Sequence, residues 1–187
     1  MHFTFFFVIS LAVLAAFARA QECVACGAGK AALVERLLDA KASAGKTFDE
    51  IAAAIGVTNA YAAQLFMNQA QLKPATASKL AAIVPGISAS DLAAMQKFPM
   101  RSFDPLMMQE PLVYRLVEAM QHYGMGIKHL VNEKFGDGIM SAIDIYVDLK
   151  EITGLTGERR IAITLNGKYL PHVEQMSASN TAVTSQK

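Results

Sequence analysis

The sequence predicts an α+β protein, with an all-α domain first and a small domain of mixed helices and strands after it. Up to about residue 99 the apolar residues recur at helical spacing, whereas after residue 138 their period changes to two. Between the two patterns lie Pro99, Pro105 and Pro111. Because proline disfavours helix just before it, this stretch marks the boundary or an extended connection.

The composition predicts a folded protein. The chain has 187 residues, of which 53% are hydrophobic and 18% are charged, enough apolar material for a core and too little charge for disorder. Residues 1–20 contain the apolar run Phe3–Phe17 and the small-x-small triplet Ala18-Arg19-Ala20, which resembles a secretory signal peptide and is too short for a membrane span. A functional leader places the protein in the secretory pathway, and otherwise it is cytoplasmic.

Without residues 1–20, which contain one Arg and no acidic residue, the positive and negative charges balance. We therefore expect no general affinity for nucleic acid and no membrane association of the mature protein. The two cysteines, Cys23 and Cys26, have C-x-x-C spacing. A redox or metal role needs a strand-to-helix turn or further ligands, and none follows closely, so a tail with two neighbouring cysteines is the favoured interpretation.

The first domain begins with a helix over residues 30–44, which Gly45 can end. Thr47 and Glu50 form a capping box that starts a second helix, ending at Ile55. A turn at 56–58 and a helix over 59–67, with Tyr61, Leu65 and Phe66 facing inward, complete a helix-turn-helix pattern. Two further helices are predicted over 76–84 and from 88 or 90 to 97.

A DNA-binding role requires cations on this helix-turn-helix, because most contacts in such complexes go to phosphate and sugar. No Lys or Arg lies between Asp49 and Leu72. Asn59, Gln64, Asn68 and Gln69 are able to reach base edges, but the phosphate contacts are missing. A structural helical module is the better interpretation.

The second domain begins with a helix over 112–123, started by Pro111 and ended by Gly124, and a helix over 127–134. Strict alternation from Ile139 to Leu149 predicts a half-buried strand. A strand over 160–165 is followed by Asn166-Gly167, a two-residue hairpin turn signal. About 75 residues of this kind bury little apolar surface alone, so we expect association with other copies.

Three residues of this domain are candidates for chemistry. Arg115 and Glu118 share one helix face and can form an ion pair, which by itself is common on protein surfaces. Ser141 interrupts the aliphatic row on its strand, so its hydroxyl bonds a nearby carbonyl, lies at an exposed strand edge or serves a ligand. His122, His129 and His172 belong to no cluster with ligand spacing, which argues against a metal site.

Several segments resemble the cyanase (cyanate hydratase) family. In the second domain they are Tyr114–Glu118, His129–Ile143 and Gly167–Pro171, of which 133–142 is the most specific. In the first domain they are Leu37–Lys41, Ala62–Phe66 and Gln69–Leu72. The resemblance covers about residues 30–172. It implies a helix-turn-helix-like (lambda-repressor-like) bundle over 28–99 and a catalytic domain over 100–175. The polar composition of residues 176–187 separately predicts a disordered tail.

The resemblance also implies the activity. The family's catalytic Arg, Glu and Ser fall on Arg115, Glu118 and Ser141, and Leu170 would line the substrate pocket. The implied enzyme is a lyase that combines cyanate with bicarbonate, without metal or other cofactor, and releases carbon dioxide and carbamate, which decays to ammonia and a second carbon dioxide. The implied assembly is a homodecamer of five interlocking dimers, with active sites between subunits.

Two other classes of function remain as alternatives. One is a helix-turn-helix regulator that binds DNA and senses a small anion through its second domain. The other is a scaffold protein in which Arg115, Glu118 and Ser141 have no catalytic role. The leader, the Cys23 and Cys26 segment and the polar tail are additions to the usual family pattern, and they leave the three candidate residues unaffected.

Overall fold

The computed structural model describes residues 29–101 and 104–177, and the chain divides into two compact units, residues 1–102 and 103–187. Helices alone form the described part of the first unit, and the second combines helix with an antiparallel sheet, which confirms the α+β fold. The domain limits expected from the sequence stay a prediction. The expected signal peptide, Cys23, Cys26 and the tail beyond 177 lie outside the described residues.

The helices of the first unit start where local signals predict them. The described part of α1 covers residues 29–43; the others are α2 (Phe48–Ile55), α3 (Asn59–Phe66), α4 (Pro74–Ile83) and α5 (Ala89–Met95). The capping box is confirmed: Thr47 Oγ1 accepts from the Glu50 amide at 3.1 Å, and the Glu50 carboxylate accepts from the Thr47 amide at 2.8 Å. Helix α4 begins two residues earlier than expected because Pro74 suits its first position.

The five helices described in the first unit are short, and isolated helices of such length are marginal in water, so a shared core holds them. Its largest fully buried side chains come from all five helices and from the loops on either side of α4: Leu37, Ile51, Leu65, Phe66, Leu72, Leu80, Val84 and Met95. Leu65 and Phe66 face inward as predicted. Tyr61 does not, since it is 40% exposed and its hydroxyl donates to the Gln71 carbonyl at 3.4 Å.

One ion pair fastens α1 to α5 at the edge of this core. The Arg36 guanidinium donates from Nη2 and Nε to the carboxylate of Asp91, with a shortest distance of 2.6 Å. The Asp91 residue is only 8% exposed. Hydrogen bonding from Arg36 lowers the pKa of Asp91 below its ordinary 3.8, so the pair stabilises the folded state above that pH and stops doing so as the pH falls through the lowered pKa.

Replacing Asp91 by Ala should lower the free energy of unfolding of the protein by about 1–2 kcal/mol at pH 7, because a charge-assisted, partly buried pair is lost. Denaturant unfolding measured from pH 7 to pH 2 tests this, and the difference from wild type should shrink below about pH 4. Asp39→Ala, on the exposed side of α1, is the control. The stabilising role of the ion pair would be refuted by an equal loss of unfolding free energy in both variants. It would also be refuted if the difference between Asp91→Ala and wild type did not change with pH.

The second unit contains a 3-10 helix, Pro105–Gln109, and one long helix, α6 (Pro111–Phe135). The prediction of two helices separated at Gly124 is therefore wrong. Glycine costs about 1 kcal/mol in a helix interior but does not end a helix by itself. Apolar positions recur at spacings of three, four and, across Gly124 itself, seven residues, which is two helical turns. This periodicity outweighs the local signal: Val113, Val117, Met120, Ile127 and Val131.

The sheet is one antiparallel hairpin of two long strands, β1 (Gly138–Thr153) and β2 (Arg159–Pro171). The turn predicted at Asn166-Gly167 is wrong, since both residues lie inside β2 and the connection is 154–158. Gly167 instead allows β1 to approach β2 closely at this point. A Cβ there would lie 2.4 Å from Met140 Cγ and 2.6 Å from the Ser141 carbonyl oxygen, so only glycine fits without a shift.

The pairing of the hairpin explains this close approach. Met140 pairs with Tyr169, yet Ile145 pairs with Gly167, so β1 contains three more residues than β2 between these pairs. This segment, 141–144, is a large β-bulge. It breaks the continuous alternation that the sequence predicted from Ile139 to Leu149, and the expected half-buried face is largely exposed in the single chain.

Much apolar surface of the second unit is uncovered in one chain. No residue of α6 is buried, and Ile143 and Leu155 are 95% and 103% exposed. A stable unit of this size does not normally leave so large an apolar area in water. Among the described residues, no helix has the length and apolar character needed to span a membrane.

Candidate active site

Helix α6 brings Arg115 and Glu118 together. The two residues are one turn apart, and Arg115 Nη1 donates to Glu118 Oε2 at 2.6 Å. Their side chains are 68% and 38% exposed, and the guanidinium carbon lies 5.5 Å from the centre of the Tyr114 ring. Glu118 thus fixes the orientation of Arg115 and uses one of its five N–H donors, leaving the others free for an anion.

Ser141 lies at the start of the β1 bulge and is 7% exposed. Its hydroxyl oxygen accepts from the amides of Ile143 at 3.1 Å and Asp144 at 2.9 Å. The sequence predicted that the Ser141 hydroxyl could donate to a nearby carbonyl. The structure instead shows its oxygen accepting from two amides of its own bulge. A hydroxyl has two lone pairs and one hydrogen, so what Ser141 has left is a hydrogen-bond donor.

The turn between α6 and β1 is held from both sides. The Asp137 carbonyl accepts from the Tyr169 hydroxyl at 3.1 Å and from the His172 amide at 3.0 Å. Lys128 Nζ lies 3.0 Å from Asp137 Oδ1, and this hydrogen bond lowers the pKa of Asp137. Gly138 is needed for space, because a Cβ there would lie 2.5 Å from the Tyr169 ring.

Leu170, expected to line a pocket, is in β2 opposite Ile139 and is 39% exposed. Within the described part of one chain, Arg115 bonds to Glu118 and Ser141 to its bulge, and no hydrogen bond joins the two groups. The single chain thus assembles two of the three candidate residues by direct contact. A shallow apolar groove lies beside them on α6, lined by Val113, Leu116, Val117, Met120 and Gln121.

Within residues 29–101 and 104–177, no group of three or more His, Cys, Asp or Glu side chains is placed to hold a metal ion. The expectation that the enzyme needs no metal or other cofactor stays a prediction. The described ion pairs of the second unit include Arg115–Glu118 and Lys128–Asp137. These groups supply hydrogen-bond donors and fixed charge, which suits the binding of small anions.

Comparison with known proteins identifies the family. Residues 105–174 match the family model of the cyanate lyase C-terminal domain. The cyanate hydratase of Phaeodactylum tricornutum is 51% identical over 156 residues, which cover 83% of this chain and 81% of the relative. The chain belongs to the cyanate hydratase family. The cyanate hydratase of Arabidopsis thaliana is 49% identical over 148 residues, covering 79% of this chain and 88% of the relative.

A solved structure extends the relationship to the fold. The crystal structure of cyanase from T. urticae aligns with a TM-score of 0.66 at 27% identity, covering 75% of this chain and 97% of that chain. The family resemblance found in the sequence is therefore confirmed. The comparisons give no support to a DNA-binding regulator, and helix α3 of this cyanate hydratase family member contains neither Lys nor Arg.

Sequence reasoning missed the bulge and with it the amides that hold Ser141. The signal was Gly167, since an isolated glycine inside a strand pattern often marks a bulge or a close backbone approach. The dipeptide Asn166-Gly167 instead matched a hairpin turn. The contacts of Lys128 with Asp137 and Gly138 were also missed. Both partners lie beyond the end of α6, which the sequence predicts correctly at about residue 134.

Proposed function

We propose that this protein is a lyase that decomposes cyanate with bicarbonate as co-substrate, and that Arg115, Glu118 and Ser141 form its active site. A bicarbonate oxygen bonds to the cyanate carbon, giving a dianionic adduct. The adduct then loses carbon dioxide by breaking the bond between that oxygen and the former bicarbonate carbon, and a proton taken up yields carbamate. Protonated carbamate breaks into ammonia and a second carbon dioxide. The 51% identity with a cyanate hydratase over most of both chains carries this proposal.

Arg115 serves as the cationic anchor in this proposal. A guanidinium can bond two oxygens of planar bicarbonate in parallel, and it stays charged at every working pH. The Glu118 contact at 2.6 Å holds it in one orientation, so less side-chain freedom is lost when the anion binds. Glu118 is thus a positioning residue that acts through Arg115.

Ser141 serves as the neutral donor. Since its oxygen accepts two backbone amides, its O–H hydrogen is polarised and is directed to a further acceptor. This supports a role in hydrogen bonding to the substrate anions and to the adduct, where negative charge accumulates. It argues against Ser141 as a nucleophile, because both lone pairs are already engaged.

One Arg115 per chain is a small countercharge for two anions and a dianionic adduct. Active sites shared between subunits would combine copies of Arg115 with copies of Ser141, and the uncovered apolar surface of α6 and the hairpin supports such assembly. We propose the family's homodecamer, a pentamer of interlocking dimers, as the active form. Leu170 would line the shared pocket.

The decisive experiment is ammonia release from cyanate by the purified protein, with bicarbonate added and with bicarbonate and carbon dioxide removed. We expect turnover that saturates with both anions and falls to background when bicarbonate is absent. The size of the active species is measured on the same sample by light scattering. Ammonia release that is independent of bicarbonate, or none at all from a fully assembled protein, would refute the proposed reaction.

A further inference from the structure

Lys128 contacts Asp137, which lies between helix α6 and strand β1, and Gly138, the first residue of the strand. Its ammonium lies 3.0 Å from Asp137 Oδ1 and 3.3 Å from the Gly138 carbonyl oxygen. An ammonium has three N–H donors, so both contacts can be made at once. The ion pair is largely exposed, with side chains 46% and 71% accessible, and an exposed pair adds little to stability.

The position of Ser141 depends on this turn more than on the long sheet. Only three ladder pairs, those of Gly138, Ile139 and Met140, precede the bulge, whereas nine follow it from Ile145 to Thr153. The bulge separates the two parts of the ladder. Ser141 comes directly after the short part, so its placement depends on what fixes residues 137–140 as well as on the two amides of its own bulge.

Four contacts fix that short part at its start. Two come from Lys128 on α6, and two come from the end of β2, where the Tyr169 hydroxyl and the His172 amide both donate to the Asp137 carbonyl. The Tyr169 ring also lies 5.5 Å, centre to centre, from that of Phe135 at the end of α6. Lys128 is the one residue among these that ties the turn to the middle of the helix that carries Arg115.

We infer that Lys128 is a positioning residue for the reaction, which sets the place of the Ser141 hydroxyl relative to the Arg115 helix. This rests on the proposed function. Lys128 itself touches neither substrate nor adduct in this account. Its removal lets residues 137–140 shift, and a displacement of about 1 Å at a reacting group can cost up to about 100-fold in rate.

The test is Lys128→Met in the full-length assembled protein, with Lys134→Met as the matched control. Lys134 lies in the last turn of the same helix and has no ion-pair partner within the described residues. We expect kcat/KM for cyanate to fall about 10- to 100-fold in Lys128→Met, with the melting temperature and the assembled size unchanged. Lys128→Arg, which keeps a cation within reach of both oxygens, should recover most of the activity.

A double-variant comparison separates positioning of Ser141 from a general structural role. In a Ser141→Ala background, adding Lys128→Met should lower kcat/KM by no more than about twofold, because the group that Lys128 positions is already gone. Independent effects would multiply instead, and that result would overturn the inference. So would Lys128→Met activity equal to that of Lys134→Met in an active protein. If wild type itself releases no ammonia from cyanate, the proposed function fails and the inference about Lys128 fails with it. An active wild type beside an unimpaired Lys128→Met variant overturns the inference alone.

Discussion

Replacing Arg115 by Ala should lower kcat/KM for cyanate by about 10³-fold or more, since in the proposed site Arg115 supplies the cationic group that faces the anions. Arg115→Lys keeps the charge but loses the planar pair of donors, so we expect it to remain at least about 100-fold below wild type. The measurement is initial-rate ammonia release with both substrates varied, on protein whose assembly and melting temperature match those of wild type.

Arg159→Ala is the control for Arg115→Ala. Arg159 also forms a 2.6 Å pair with a glutamate, Glu151, and its side chain is 85% exposed. Removing it deletes the same charge and the same kind of ion pair from the same unit, at the far end of the hairpin from the bulge. If Arg159→Ala and Arg115→Ala lose activity equally, charge or assembly and not the site explains the effect.

Replacing Ser141 by Ala should lower kcat by about 100- to 1,000-fold, the usual cost of removing one donor to a developing negative charge. The substitution also leaves the Ile143 and Asp144 amides without their acceptor, which should cost about 1–3 kcal/mol of stability. Ser141→Thr restores a hydroxyl and should regain part of both. Thermal unfolding and steady-state kinetics on each variant separate the two effects.

The assay temperature should be at least 15 degrees below the melting temperature of the weakest variant, so that unfolding does not mimic a catalytic loss. Ser90→Ala is the control, because its hydroxyl bonds only another exposed serine, Ser88, at 2.9 Å in the first unit. If the turnover of Ser141→Ala is within about twofold of that of Ser90→Ala, the Ser141 hydroxyl only accepts the amides of its bulge and has no role in catalysis.

The parts of the fold that depend on residues close together in the sequence could be predicted from it. The capping box of Thr47 and Glu50 needs residues three apart, so the start of α2 was placed correctly. The change of apolar period placed β1. Two of the failures, at Gly124 and Gly167, arose where a local glycine signal was outweighed by other structure. At Gly124 it was the continuing periodicity of α6, and at Gly167 it was the opposite strand.

In the candidate site too, the contacts within one element could be predicted and the contacts between elements could not. Contact between Arg115 and Glu118 follows from helix geometry, and it is present at 2.6 Å. The surroundings of Ser141 depend on the register of two strands, which alternation alone does not specify once a bulge is present. In the proposed assembly, convergence of Ser141 with Arg115 depends on further chains, and no pattern within one sequence gives the geometry between subunits.

The central claim is that one active site takes Arg115 and Ser141 from different chains. Co-expression of Arg115→Ala and Ser141→Ala subunits carrying two different tags, followed by purification through both tags, yields mixed oligomers for the ammonia assay. We predict activity well above the sum of the two pure variants, because some sites then receive intact Arg115 from one chain and intact Ser141 from another. Mixed oligomers that are correctly assembled yet no more active than that sum would contradict the claim.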